Sequence, residues 1–197
     1  AHPGQVDVRI AAKAKNKKEA DLLINPVKKE ITSLLKDAIF GEDGETLEKN
    51  IGKLLSTNNT TISTIENISG GAISEAFQNS TINLYSQGIT MGANNNMINL
   101  FNKYDVNLDD SDPIKIALSQ AYLIKKISSS NIGLAYYGIA SGELKVENLG
   151  KGESYFAIVS DSGYDTKHIR SAGIGAPDKR RAVMNALSLA RKFLINK

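Results

Sequence analysis

The sequence predicts an α/β protein: an α/β/α sandwich with a mixed sheet, preceded by a small α+β piece. Through the middle of the chain, strand-like apolar runs alternate with amphipathic helical stretches, which is typical of parallel strands joined by helices. Two further runs, 155–160 and 164–170, flank a polar turn and predict an antiparallel hairpin. A last amphipathic helix begins near Pro177.

The length and composition of the chain are those of an ordinary globular protein. Its 197 residues are 41% hydrophobic and 23% charged, and the net charge of +3 is too small to indicate a nucleic-acid partner. The absence of cysteine excludes disulfides, thiolate zinc sites and a cysteine nucleophile. The sequence shows neither a signal peptide nor an apolar run of membrane-spanning length, so we predict a cytoplasmic protein without a membrane partner.

Residues 1–45 form the predicted N-terminal piece. The alternating run 6–12 predicts a half-buried strand, and 38–40 predicts a second, short one. Between them lies a helical stretch, which Pro26 should interrupt or restart with Asn25 as the cap. Apolar residues then recur at the spacing of one helix face: Val27, Ile31, Leu34 and Leu35.

The acidic, glycine-rich segment 41–45 predicts a boundary, followed by a second domain over 46–197. Its glycines, Gly41 and Gly44, also fit the G-x-x-G loop with which KH domains hold nucleic acid. Two carboxylates between these glycines would repel phosphates, so we interpret the segment as a linker and do not expect a nucleic-acid partner.

The second domain begins with a helix over 46–55 and a β-branched strand that ends near Glu66. Ser69, Gly70 and Gly71 follow, and then apolar residues at helical spacing; Ser69 is predicted to cap that helix. The two glycines would let a phosphate approach the amides of the first helical turn. A plain tight turn with a capped helix explains the same residues.

Further elements follow in the same alternation. A strand is predicted over 84–91, a helix around Met97, a helix that starts at Asp112-Pro113 and runs to about residue 127, and a buried strand over 132–140. Ligands of such sheets bind beyond the strand ends, where glycine turns gather. The candidate turns are 69–71, Gly92, Gly138 and 173–175.

No residues with an obvious catalytic arrangement stand out. His2 and His168 lie in a terminus and in the hairpin, where histidine is usually a plain surface residue. Glu66 is the acidic residue beside the glycine turn, and it can bind a ribose hydroxyl or cap a backbone amide. The carboxylates of 109–112 fit helix capping better than cation binding, so neither a metal nor a cofactor is predicted.

The order of these motifs resembles the C-terminal half of CinA, the competence/damage-inducible protein family, whose last domain is similar to nicotinamide-mononucleotide amidase (PncC). The family's Glu-Ser-Cys-Thr-Gly-Gly motif corresponds to residues 66–71, Glu-Asn-Ile-Ser-Gly-Gly, and its Thr-Gly-Ile-Ala-Gly-Pro motif to 137–142. Its Val-Gly-Thr-Val-Tyr strand falls on 151–155, and 6–47 looks like its KH-like region with the linker behind it. The resemblance covers nearly the whole chain.

The chain departs from the family at the positions that carry the amidase chemistry. The resemblance places Asn67 at the nucleophilic serine, Met97 at the basic lysine and Gly92 at the tyrosine. Tyr137 stands at the family's threonine, and the expected arginine falls near Gly175. A serine–lysine amidase needs an ionisable hydroxyl and a proton acceptor, which asparagine and methionine do not supply.

The resemblance therefore implies a non-catalytic CinA-type module that binds a small nucleotide or phosphate ligand or a partner protein. Its expected ligand-binding residues are Glu66, Ser69, Gly70, Gly71 and Gly138. A homo-oligomer is compatible with the sequence. The alternative is an active amidase that uses replacement residues such as Ser69 and Lys103. CinA proteins of this type also carry an N-terminal domain that resembles molybdopterin-binding proteins, so we expect the chain to be a fragment.

Overall fold

The structure, a computed structural model, describes residues 5–80, 83–92, 96–138, 152–170 and 176–196. Helices and strands alternate through most of these ranges, as the sequence predicts. The helices are α1 Lys17–Leu35, a 3-10 helix Lys36–Ala38, α2 Leu47–Thr57, α3 Ala72–Ser80, α4 Asn96–Lys103, α5 Pro113–Ser128 and α6 Ala176–Ile195. The strands are β1 Ile62–Glu66, β2 Tyr85–Thr90, β3 Ile132–Gly138, β4 Glu153–Ser160 and β5 Gly163–Arg170.

The strands form a mixed sheet in the order β2-β1-β3-β4-β5. β1 pairs in parallel with β2 and with β3, whereas β4 pairs antiparallel with β3 and with β5. The predicted hairpin is therefore the β4–β5 pair. Because β1, β2 and β3 are parallel, their carboxyl ends meet at one edge of the sheet, which we call the carboxyl edge.

Helices cover both faces of the sheet, so the predicted α/β/α sandwich is confirmed. α2, α3 and α6 bury apolar side chains on one face, among them Ile51, Phe77 and Leu187. α4 and α5 cover the other face, where Phe101 and Ile124 are buried. The apolar side chains that recur at helical spacing in the sequence are thus buried against the two faces of the sheet.

Two of the sandwich helices begin at side-chain caps, and the sequence predicts the second of them, Asp112. Thr46 Oγ1 accepts a hydrogen bond from the amide of Lys49 at 3.2 Å and caps α2. Asp112 Oδ1 accepts one from the amide of Ile114 at 2.8 Å, and Pro113 is the first residue of α5. Each cap satisfies an amide that has no partner inside its helix.

The N-terminal piece differs from the prediction at both of its proposed strands. Residues 6–14 form no strand, and Val6 is 75% exposed. The five strands of the described sheet all lie between residues 62 and 170, so this segment has no ladder in that sheet to satisfy its backbone. The strand predicted over 38–40 is also wrong, because residues 36–38 form the 3-10 helix.

α1 continues through Pro26, so the predicted interruption is wrong. Asn16 rather than Asn25 is the cap, accepting a hydrogen bond from the amide of Glu19 at 3.0 Å. The helix lies in water, which can satisfy the carbonyl that proline leaves without a donor. No residue of α1 is buried, and Leu34 of its apolar stripe is 72% exposed.

The junction between α1 and the sandwich is held by Arg191 of α6. Its guanidinium donates to the carbonyl of Asp37 at 2.5 Å and to that of Ile39 at 2.7 Å. A third hydrogen bond joins its Nε to Asn50 Oδ1 of α2 at 3.0 Å. One side chain thus fixes the chain between α1 and α2 onto the terminal helix.

Candidate functional site

Three parallel strands end side by side at the carboxyl edge, where the sequence predicts a ligand. In the ladder, Glu66 at the end of β1 lies opposite Thr90 of β2 and Tyr136 of β3. The other predicted residues at or just beyond these ends are Asn67, Gly92 and Gly138. The sheet topology therefore brings together segments that are far apart in the sequence.

Glu66 carries a buried carboxylate that caps α3. The residue is only 1% exposed. One carboxylate oxygen accepts from the amide of Ile73 at 3.0 Å, and the other accepts from the amide of Ser74 at 2.8 Å and from its hydroxyl at 2.6 Å. A negative charge is favourable here because it faces unpaired amides and the positive end of the helix dipole. Of the two roles considered for Glu66, capping is the one observed.

Ser69 is a partner of this carboxylate rather than the helix cap that we predicted. It is buried, and its hydroxyl donates to Glu66 Oε2. Because Glu66 already accepts the amides of Ile73 and Ser74, an anion cannot use those two donors without displacing it. A ligand could therefore approach this segment only at the turn formed by Gly70 and Gly71.

Gly70 and Gly71 form a turn that only glycine accommodates easily, with φ values of +68° and +91°. Two polar groups flank it. A Cβ atom built on Gly70 would lie 3.6 Å from Lys179 Nζ, and one built on Gly71 would lie 3.6 Å from Thr90 Oγ1. Sequence reasoning missed Lys179, which comes from α6; its only signal was the basic Lys-Arg-Arg run at 179–181.

Hydroxyl groups continue the Glu66 network into the sheet. Ser74 Oγ lies 3.0 Å from Thr64 Oγ1, which in turn lies 2.6 Å from the phenol oxygen of Tyr85. Burial, ahead of the nearby Glu66 charge, raises the pKa of the Tyr85 phenol. The network joins α3 to β1 and β2, so it fixes the position of the helix relative to the carboxyl edge.

Asn67 joins the ends of β1 and β3. Its Nδ2 donates to the carbonyl of Gly138 at 3.1 Å, and the amide of Gly138 donates to its Oδ1 at 3.1 Å. This reciprocal pair, which we call the Asn67 clamp, uses the carboxamide as donor and as acceptor. The family resemblance assigns this position to the nucleophile, and here it holds two strand ends together.

Met97 and Lys103 lie on α4. The sulfur of Met97 accepts a hydrogen bond from Gln120 Nε2 of α5 at 3.0 Å. Lys103 is the last residue of α4, and its ammonium lies over the ring of Tyr104, 5.3 Å from the centroid. The structure shows no contact between Lys103 and Ser69, the pair on which the alternative amidase interpretation rests.

An aromatic row crosses three strands near the same edge. Tyr137, Tyr155 and His168 are successive partners across β3, β4 and β5. The His168 ring stacks on Tyr155 with centroids 4.6 Å apart, and its Nε2 contacts the carboxylate of Glu153. His168 is exposed as predicted but is paired. Burial raises the pKa of Tyr137, which packs against the cluster under α4 and α5.

Some predicted residues add nothing to this geometry. Gly92 is exposed, and a Cβ on it would meet open space. Gly175, the turn 173–175 and the motif residues 139–142 and 151 lie outside the described residues.

Within the described ranges, no helix has the length and apolarity needed to cross a membrane.

Two family profiles match the chain, one after the other. The profile described as the damage-inducible protein CinA KH domain matches residues 1–41. The profile described as the CinA C-terminal domain matches residues 44–194. Together they account for almost the whole sequence.

Curated relatives and solved structures agree with these profiles. A competence-damage inducible protein of Acetivibrio thermocellus is 30% identical over 99% of this chain and 48% of its own length. One from Clostridium perfringens is 31% identical over 96% of this chain and 47% of its own length. The chain thus spans about half the length of the curated relatives it matches. A CinA superfamily protein from Klebsiella pneumoniae superimposes with a TM-score of 0.65 at 18% identity, covering 77% of this chain and 97% of that one.

Proposed function

Because the chain belongs to the CinA family of competence-damage inducible proteins, we propose that its C-terminal domain is a non-catalytic module. The module binds a small nucleotide or phosphate ligand at the carboxyl edge and does not hydrolyse it.

The Asn67 clamp is the observation that carries this proposal. A nucleophile must carry an ionisable group that is free to approach the substrate. The Asn67 carboxamide has no such group, and both of its polar atoms are hydrogen-bonded to Gly138. Met97 supports the same interpretation, because its thioether cannot accept a proton and packs against Gln120.

The glycine turn supports the binding part of the proposal. Gly70 and Gly71 allow a ligand to come close to the backbone, and Lys179 supplies a positive charge beside them. The buried Glu66 charge lies behind the same turn and opposes an anion. We therefore propose weak binding, with Lys179 as the main attractive group.

An amidase assay tests the non-catalytic part. With nicotinamide mononucleotide as substrate, we expect ammonia release at the buffer rate, while an intact amidase of the family run in parallel serves as positive control. Turnover above the buffer rate that disappears in Ser69→Ala would contradict the proposal and favour the alternative amidase. Turnover that survives Ser69→Ala would contradict both.

A thermal-shift titration tests the binding part. A ligand that binds only the folded state stabilises it by about 2.7 kcal/mol at a hundredfold excess over Kd. We expect millimolar nicotinamide mononucleotide or inorganic phosphate to raise the melting temperature, and Lys179→Gln to reduce the rise. Lys18→Gln, on the exposed surface of α1, is the matched control and should leave it unchanged. If neither ligand shifts the wild-type protein, the module does not bind at this edge.

A further inference from the structure

Lys167 lies in the middle of β5, on the face of the sheet that α6 covers. It is the ladder partner of Phe156 in β4, which is fully buried in the core under α6. Side chains alternate along a strand, so Asp165 and Ile169 lie on the same face as Lys167. Ile169 packs against this core, and Asp165 contacts Lys192 of α6. Lys167 is therefore half-buried on a largely apolar surface.

The ammonium of Lys167 forms no hydrogen bond or ion pair with any residue that the structure describes. The carboxylate of Asp165 lies 3.5 Å from the Lys192 ammonium instead. Among the described residues, the charged groups that face Lys167 are thus Lys192 from α6 and Asp165 from its own strand. β4 presents uncharged residues on this face: Ser154, Phe156 and Ile158. Lysine is mostly exposed or paired with an acid, so the surroundings of Lys167 are unusual.

These surroundings favour the neutral amine of Lys167. Burial, ahead of the neighbouring ammonium of Lys192, lowers the pKa of Lys167. The neutral amine is the nucleophilic form, and proteins activate lysines by desolvation or by placing another cation beside them. An ordinary surface lysine is almost entirely protonated at neutral pH. Lys167 therefore presents more of its reactive form than the other lysines on the surface.

We propose that Lys167 is an acylation site that reacts directly with acyl phosphates, with Lys192 as the group that activates the amine and attracts the phosphate. The neutral nitrogen attacks the carbonyl carbon of the donor. A C–N bond forms, the C–O bond to phosphate breaks, phosphate leaves with the electron pair, and the amine proton passes to water. The product is an uncharged amide, so acylation also ends the repulsion between the two lysines.

The position of Lys192 fits this role. Its side chain is 69% exposed, and its contact with Asp165 is a long one at 3.5 Å. An exposed ion pair of this kind is weak, so the ammonium is free to turn toward a phosphate. The amine that reacts and the cation that attracts the donor therefore lie on one face, from β5 and α6.

Mass spectrometry of the protein treated with acetyl phosphate tests the proposal. Near neutral pH we expect acetylation at Lys167 to be about fivefold or more faster than at Lys49, an exposed lysine of α2. In urea, where the fold is lost, the two lysines should react alike. With rising pH, the rate at Lys167 should level off earlier, because its amine loses its proton at a lower pH. A rate no higher than at Lys49, or parallel pH profiles, overturns the proposal.

Substitutions at position 192 test the neighbouring ammonium. Lys192→Gln should slow acetylation of Lys167 by about threefold or more, whereas Lys192→Arg keeps the positive charge and should stay within about twofold of the wild type. Lys49→Gln is the matched control and should have no effect. Circular dichroism confirms that each variant is folded. Equal rates at Lys167 in Lys192→Gln and Lys49→Gln would contradict the proposal.

An uncharged acetylating reagent tests the assignment of acyl phosphates as donors. N-acetoxysuccinimide acetylates amines but carries no phosphate for Lys192 to attract. We expect Lys192→Gln to slow this reagent less than it slows acetyl phosphate, because only the activation of the amine is lost. Equal slowing of both reagents would mean that Lys192 does not recognise phosphate, which overturns this assignment.

Discussion

At the scale of single residues, Asn67 and Gly138 form the most informative contact in the structure. A carboxamide offers a donor and an acceptor side by side, which match the carbonyl and the amide of one glycine. The family resemblance indicated that position 67 lacks a nucleophile. It did not reveal the clamp, because Gly138 is 71 residues further along and no local pattern connects the two. Lys179 was not predicted for the same reason, because it lies far along the chain from Gly70, which it approaches in the structure.

Replacing Asn67 by serine should destabilise the protein and leave it inactive as an amidase. Serine cannot satisfy both backbone groups of the buried Gly138, and an unsatisfied buried polar group costs about 1–3 kcal/mol. Urea unfolding measures the loss, with Asn107→Ser on the exposed surface as the matched control. An Asn67→Ser variant as stable as the wild type would show that the clamp contributes nothing.

At the scale of secondary-structure elements, prediction succeeded where an amphipathic pattern had a partner to pack against. The apolar faces of α2 and α5 are buried as their spacing indicates. α1 has a comparable stripe, but no residue of it is buried. Periodicity identifies a helix and its apolar side, whereas burial also depends on what lies opposite, which sequence patterns do not contain.

The contacts of Arg191 lead to a prediction about the segment between α1 and α2. Arg191→Ala removes charge-assisted hydrogen bonds to two carbonyls, each worth about 1.5–3 kcal/mol. We expect amides of residues 36–46 to exchange with solvent about tenfold faster or more, while those of the central strands change little. Hydrogen exchange read by mass spectrometry measures this.

Two further variants control the experiment at this junction. Arg191→Lys keeps the charge but loses the fork of donors, so an intermediate effect is expected. Arg180→Ala, on the exposed side of the same helix, should have none. Equal exchange in Arg191→Ala and Arg180→Ala would mean that Arg191 does not hold the junction.

At the scale of the whole molecule, the sandwich was predictable because alternation of strands and helices restricts the possible topologies. The hairpin of β4 and β5 was also predictable, since both strands and their turn are contiguous in the sequence. The order of strands within the sheet was not predicted, because it depends on pairings between distant segments such as β1 and β3.

Three partly buried tyrosines should limit the stability of the folded protein at alkaline pH. Burial raises the pKa of Tyr85, Tyr137 and Tyr155 above their ordinary value near 10. As the pH rises above that value, the unfolded chain loses these protons while the folded chain keeps them, so folding stability falls. Ultraviolet titration of the tyrosinate absorbance should show these phenols ionising later in the folded than in the denatured protein.

A single substitution identifies the contribution of one of these tyrosines. Tyr85→Phe should remove part of the delayed absorbance. Identical titration curves for the folded and denatured protein would contradict the prediction.

The Asn67 clamp also bears on evolutionary reversibility. Under the non-catalytic function proposed above, serine at position 67 would remove the reciprocal bonds to Gly138 before any turnover arose, since a proton acceptor must be supplied at a separate site. The first step towards hydrolysis would therefore carry a stability penalty and no selective benefit. We therefore expect descendants of this sequence to keep asparagine at position 67 and not to acquire hydrolysis.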